Sequence, residues 1–207
     1  MTASGRGRLI ALEGIDGCGK STQAKLLSAR LDALLTFEPG ATGLGASLRR
    51  LLLEPDQPAV SPGAEALLMA ADRAQHVAEV VQPALDAGTW VVTDRFSAST
   101  LAYQGFGRGL DRAELDWLIG WATRGLVPDL TVLIEVPVDV AAARPTGVDD
   151  RFEEEGRPFQ QRVAEGYRRL AEESADTWLV IDGTGPAEEV AEAVWSGVGH
   201  RVGDGHG

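Results

Sequence analysis

The stretch EGIDGCGKST, residues 13 to 22, contains one of only two lysines in a 207-residue chain that also carries seventeen arginines. Within it, Gly14 to Ser21 matches G-x-x-x-x-G-K-[ST], the signature of a phosphate-binding loop. The context agrees, because the apolar run RLIALE (8 to 13) precedes it and a helical pattern, STQAKLLSARL, follows. Glycines let backbone amides converge on phosphate oxygens, and the N-terminus of the next helix adds positive potential. A compact ammonium at Lys20 reaches β and γ oxygens where a flat guanidinium fits poorly, which accounts for a lysine in an arginine-rich chain. Ser21 offers its hydroxyl to Mg²⁺, and Thr22 supports the α-phosphate side. The candidate nucleotide-binding segment is therefore Gly14, Ile15, Asp16, Gly17, Cys18, Gly19, Lys20, Ser21 and Thr22, with ATP and Mg²⁺ as the implied ligands. Lys25 reads as a surface helix residue.

Working outward, five short apolar runs stand out: RLIALE, ALLTF (33 to 37), TWVVTD (89 to 94), LTVLIEV (130 to 136) and TWLVID (177 to 182). They read as buried strands. Segments of helical spacing separate them, such as residues 64 to 88, where Leu67, Leu68, Ala71, Val77, Val81 and Leu85 mark an apolar side. Strand alternating with helix implies an α/β three-layer P-loop NTPase fold, a five-stranded parallel sheet flanked by helices in a single domain. Residues 54 to 63 are a Pro-rich connection, 145 to 157 a charged candidate mobile loop, and about 1–7 and 200–207 the expected frayed ends.

A formal charge of −12 argues against broad adhesion to nucleic acid or membrane, although a local basic cleft can still focus anions. The lone cysteine, Cys18, permits no intramolecular disulfide and points to the cytoplasm. No apolar run approaches a membrane span, and residues 1 to 8 lack the hydrophobic segment of a secretory signal. His76 and His200 make no metal pattern with Cys18.

Asp94 ends the third strand, where a nucleotide-binding sheet places a metal-organising carboxylate; the alternative is a cap for the following turn. The chain contains no asparagine, so the Asn-Lys-x-Asp element of a GTPase is excluded. Arginines lie instead in three neighbourhoods, at Arg73, at Arg95 and at Arg144 with Arg151. That spread suits two phosphorylated ligands facing one another.

Several separated segments now converge: LEGIDGCGKST, FEPGATGLGASLRRLLL, ALLMAADRAQH, DRFSASTLAYQGFGRGL, PDLTVLIEVP and DRFEEEG. Together they resemble the thymidylate kinase family of P-loop nucleoside monophosphate kinases, which make dTDP from dTMP and ATP. The resemblance implies that Asp16 lies near the acceptor's 3′-hydroxyl and that Arg95 grips the dTMP phosphate, held in place by Asp94. It also implies that Arg73 reads the thymine edge, while Ser99, Thr100, Tyr103 and Gln104 line the base and sugar pocket. Tyr103 would exclude a 2′-hydroxyl. Residues 144–157 correspond to a short lid, in which Arg144 would lie over adenine or reach ATP phosphates. Arg151 is the nearer candidate for the transferring group, and the choice between the two arginines is open. Glu153 would help position a metal or water.

The chain departs from the family pattern at Met69, where an aromatic residue often stacks on thymine, and at Phe37, where an arginine often precedes the EPG turn. Arg49 is a candidate substitute for the latter. The resemblance further implies a homodimer built on the helix from 64 to 86. Two other readings remain: a kinase of another nucleoside monophosphate or deoxynucleoside, and a non-catalytic nucleotide-binding module.

Overall fold

Strand β1 (Leu9–Glu13) has all five side chains buried, because helices cover both faces of the sheet at its centre. Leu9 and Ala11 point to one face, Ile10 and Leu12 to the other, and each pair joins a separate apolar cluster. The computed structural model describes residues 5–54, 57–144, 152 and 155–202. The other strands are β2 (Leu34–Phe37), β3 (Val91–Asp94), β4 (Leu130–Glu135) and β5 (Trp178–Asp182). They form one parallel sheet in the order β2-β3-β1-β4-β5.

The chain lays β2 and β3 on one side of β1 and then crosses to place β4 and β5 on the other. This reversal opens a crevice at the carboxyl ends of the strands, where ligands bind in such sheets. Around it lie α1 (Lys20–Leu31), α2 (Gly43–Leu53), α3 (Pro62–His76), α4 (Gln82–Asp86) and α5 (Ser97–Thr100). Next come α6 (Arg112–Thr123), α7 (Val138–Ala142), α8 (Gly156–Glu173) and α9 (Ala187–Val202). A π-helical turn, Val77–Val81, joins α3 to α4, and a second, Leu101–Gly107, extends α5. No helix among the described residues is long and apolar enough to cross a membrane.

Four expectations need correction. The two edge strands are not buried strands: only Thr36 is buried in β2, and only Trp178 and Ile181 in β5. The apolar side assigned to the long helix holds only in its second half, where Val77, Val81 and Leu85 pack against Leu9, Val91 and Phe96. In the first half Leu67 is 62% exposed and Ala71 is also exposed, while Glu65, Asp72, Arg73 and His76 are buried with Ala66 and Ala70. This inner face meets a polar site rather than the core, and mutual hydrogen bonds replace water there.

The ends are also better anchored than expected. Gly7 is buried and donates its backbone amide to Leu85 O at 2.8 Å, and α9 continues through residues 200–202. Residues 1–4 and 203–207 lie outside the described part, as does most of the stretch read as a mobile loop; within that stretch, Gly156 and Arg157 already belong to α8.

Leu85 is fully buried in the cluster between the long helix and β1. Leu85→Ala should lower the unfolding free energy by about 2–5 kcal/mol in urea titrations, without a change in fold by circular dichroism.

Candidate active site

The loop between β1 and α1 is shaped by close approaches that no side chain tolerates. Gly14, at φ 146°, would place a Cβ 2.6 Å from Ile134 O, and Gly17, at φ 77°, would place one 2.4 Å from Ala141 O. Inside this bend the Lys20 ammonium donates to Ile15 O at 3.3 Å and to Asp16 Oδ1 at 3.2 Å. Ser21, at the first turn of α1, donates its hydroxyl to Asp94 Oδ2. Asp94 Oδ1 is buried and makes no hydrogen bond among the described residues.

Asp16 joins the loop to the far side of the crevice. Its carboxylate pairs with Arg95 Nη2 and accepts the Tyr103 hydroxyl at 2.7 Å. Burial alone would raise this carboxyl, but the Arg95 and Lys20 charges and the Tyr103 hydrogen bond outweigh it and hold it well below the ordinary carboxylate range. Arg95 sits at φ 75°, a strained conformation for a side-chain-bearing residue. Its Nη1 donates to Gly14 O at 3.1 Å, Ser99 Oγ at 3.0 Å and Tyr167 hydroxyl at 3.1 Å. The carboxylate that holds Arg95 is thus that of Asp16, not of Asp94 as expected, because Asp94 is engaged by Ser21.

Glu13 escaped the sequence reading, although a carboxylate ending a wholly apolar strand was a visible signal. It is fully buried and accepts hydrogen bonds from Phe96 N (2.8 Å), Ser99 Oγ (2.6 Å) and Tyr167 (2.9 Å). Burial raises its carboxyl even against the Arg95 charge.

A second buried network surrounds Arg73. Its Nε donates to Glu38 Oε2 at 2.7 Å, Nη1 to Thr100 Oγ1 at 2.7 Å and Nη2 to Phe96 O at 2.9 Å. His76 Nδ1 meets Glu38 Oε1 at 2.8 Å and so carries the proton, since a carboxylate only accepts; Nε2 meets Thr36 Oγ1 at 2.7 Å. Beside it, Asp72 Oδ1 accepts Gly40 N at 3.0 Å, and burial together with the Glu38 charge pushes this carboxyl up to about 6.

A cavity of about 1070 Å³ brings these groups together. Of the sequence-derived residues, Asp16, Gly17, Gly19, Lys20, Ser21, Thr22, Met69, Arg73, Asp94, Arg95, Ser99, Thr100, Tyr103, Gln104 and Arg144 line it. Ile15 and Cys18 do not: their side chains belong to the core, and the Cys18 amide donates to Ile15 O at 3.3 Å. Gly14 also lies outside the lining, and its carbonyl serves Arg95. Arg144 donates to Cys18 O at 3.1 Å and Gly183 O at 2.8 Å, fastening the loop to the turn after β5. Arg151 and Glu153 lie outside the described residues. Phe37, Glu38, Arg49, Asp72 and Phe152 also line the wall, as do Pro39, Arg50, Leu53 and Glu54; among the first five, Glu38, Asp72 and Phe152 had no assigned place.

The sequence profile of the family described as "Thymidylate kinase" matches residues 12–194. The chain belongs to the thymidylate kinase family. A thymidylate kinase of Synechococcus sp. (strain CC9311) is 49% identical over 200 residues, covering 91% of this chain and 93% of that protein. One from Carboxydothermus hydrogenoformans is 47% identical, covering 89% and 93%. The crystal structure of thymidylate kinase from Ehrlichia chaffeensis superposes with a TM-score of 0.77 at 29% identity, covering 92% of this chain and 98% of that one. That thymidylate kinase thus shares this chain's fold nearly end to end.

The Asp72 carboxyl generates a stability prediction. Its folded value, about 6, exceeds the ordinary 3.8, so between these values the folded protein holds a proton that the unfolded chain releases. Its contribution to stability therefore falls as pH rises from about 4 through about 6. Asp72→Asn should remove this slope: in urea titrations its stability relative to the parent should be greatest above pH 7 and shrink toward pH 4.

Proposed function

We propose that the chain transfers the γ-phosphoryl group of ATP to dTMP, giving ADP and dTDP for nucleotide biosynthesis. The observation that carries this reading is one cavity with a phosphate-binding loop at one end and a fan of donors, the buried Arg73 and the partly buried Arg95, at the other. Asp16 stands between the two.

The acceptor oxygen belongs to a phosphate that is already anionic near neutral pH, so no general base is needed. Catalysis reduces to alignment and charge compensation. Lys20 neutralises the donor's terminal phosphates from inside the loop. Arg95 holds the acceptor phosphate, which replaces neutral hydroxyl partners with an anion and so strengthens the contact. Asp16 orients Arg95 and faces the sugar, and Tyr103, fixed by Asp16, fills the space that a 2′-hydroxyl would need. Arg73, Met69, Thr100 and Gln104 take the base. Arg144 steadies the loop from its carbonyl side, and Arg151 is assigned to the transferring group.

The Ser21 hydroxyl and the orphaned Asp94 Oδ1 are hard oxygen donors beside the loop, a set that fits Mg²⁺, which keeps several waters and binds mainly through phosphates. When bound, the ion would neutralise phosphate charge. A reduced, lone Cys18 supports a cytoplasmic setting. Leu67 on α3 and Trp117 and Trp121 on the adjacent α6 expose large apolar surfaces, which suit an isologous dimer.

Lys20→Ala should lower kcat by about 10²–10³-fold, and Arg95→Ala should raise the KM for dTMP steeply. Near-normal kinetics for both would refute the site. A coupled ADP-release assay with dTMP, dUMP, UMP, CMP and thymidine should show dTMP as the preferred acceptor; ATP binding without acceptor-dependent turnover would refute the enzyme reading.

A further inference from the structure

Gln104 lies on the cavity wall four residues after Thr100, the residue that holds Arg73. Its amide has one donating and one accepting pole, and which of them faces a ligand is a chemical choice. Here the choice is made from behind. Gln104 Nε2 donates to Glu65 Oε1 at 2.9 Å, with both side chains buried at 1% and 5% exposure.

Glu65 in turn receives Arg108 twice, Nε on Oε1 at 3.2 Å and Nη2 on Oε2 at 2.9 Å. It also sits in the first turn of α3, where helix potential favours negative charge. An ionised carboxylate only accepts, so the amide nitrogen must turn to Glu65 and the amide oxygen toward the cavity.

We infer that Glu65, locked by Arg108, is a specificity-determining positioning residue that makes the cavity select a pyrimidine with an N3–H donor over one with a bare N3. The inference rests on the acceptor reading above. Arg73 presents N–H donors and Gln104 presents an oxygen, a pair that matches the O4 and N3–H of thymine or uracil. Cytosine offers the reverse, an amino donor and a bare N3 acceptor, and meets like against like at both places.

The experiment compares kcat/KM for dTMP and dCMP in the parent, Glu65→Gln and Glu65→Ala. A glutamine at 65 can donate as well as accept, and an alanine does neither, so in both variants Gln104 is free to turn its amino group inward. The dTMP to dCMP ratio should fall by about 10-fold or more in each, beyond any common loss of activity. Glu65→Asp, which remains acceptor-only, should keep the ratio while lowering both values.

Variants that lose activity equally for both nucleotides, with the ratio unchanged, would overturn the inference and leave the proposed reaction standing. A parent enzyme that does not turn over dTMP would instead overturn the reaction itself. The parent alone supplies a second test independent of variant folding. N3-methyl dTMP, lacking the donor, should be a poorer acceptor than dTMP by about 100-fold. Equal turnover of the two would show that the Gln104 oxygen does not read N3.

Discussion

The ion pair between Asp16 and Arg95 ties the loop after β1 to the segment that leaves the neighbouring strand β3, and the site depends on it. The pair is only partly buried, and such a pair adds little unless its remaining poles are bonded. Here they are. Asp16 also takes Lys20 and Tyr103, and Arg95 takes Gly14 O, Ser99 and Tyr167. Several of these partners are neutral hydroxyls, which a phosphate can displace with a gain in charge complementarity. The network is therefore rigid without being closed to a ligand.

Sheet register explains why the two ends meet. β1 and β3 pair Leu12 with Asp94, and β2 and β3 pair Phe37 with Asp94. Glu13, Arg95 and Glu38 follow these residues directly, so three charged side chains leave three adjacent strands at one level. Glu13 then ties the chain after β3 to the end of β1 by accepting Phe96 N and Ser99 Oγ. The strained backbone at Arg95 persists because contacts on both sides determine it.

The fold and the bend between β1 and α1 were legible because both depend on local pattern. A phosphate-binding loop needs glycines, one lysine and one hydroxyl at fixed offsets, and parallel strands need apolar runs; each appears in contiguous residues such as Gly14 to Ser21. The exposure of β2 was not legible, since Leu34, Leu35 and Phe37 are as apolar as any buried strand and only strand order makes that strand an edge. Nor was the inner face of α3. Helical periodicity marks Leu67 and Ala71 as the buried side, yet that face is turned outward, while Glu65, Asp72, Arg73 and His76 point in. Their burial is stable because Glu38, Thr36, Gly40 N, Gln104 and Arg108 complement them, and these partners come from elements distant in sequence.

The two ends of the cavity are consequently built from different materials. At the proposed donor end, backbone and one ammonium would meet a phosphate chain whose shape is the same for every nucleoside triphosphate, so a short motif suffices and says little about the base. At the proposed acceptor end the wall is made of side chains held by a second layer, Glu38 behind Arg73 and Glu65 behind Gln104. A guanidinium has donors alone and needs only to be aimed, whereas an amide can present either pole. On the proposed reading, the burden of selectivity shifts from Gln104, which touches the cavity, to the buried carboxylate of Glu65 that fixes which way its amide faces.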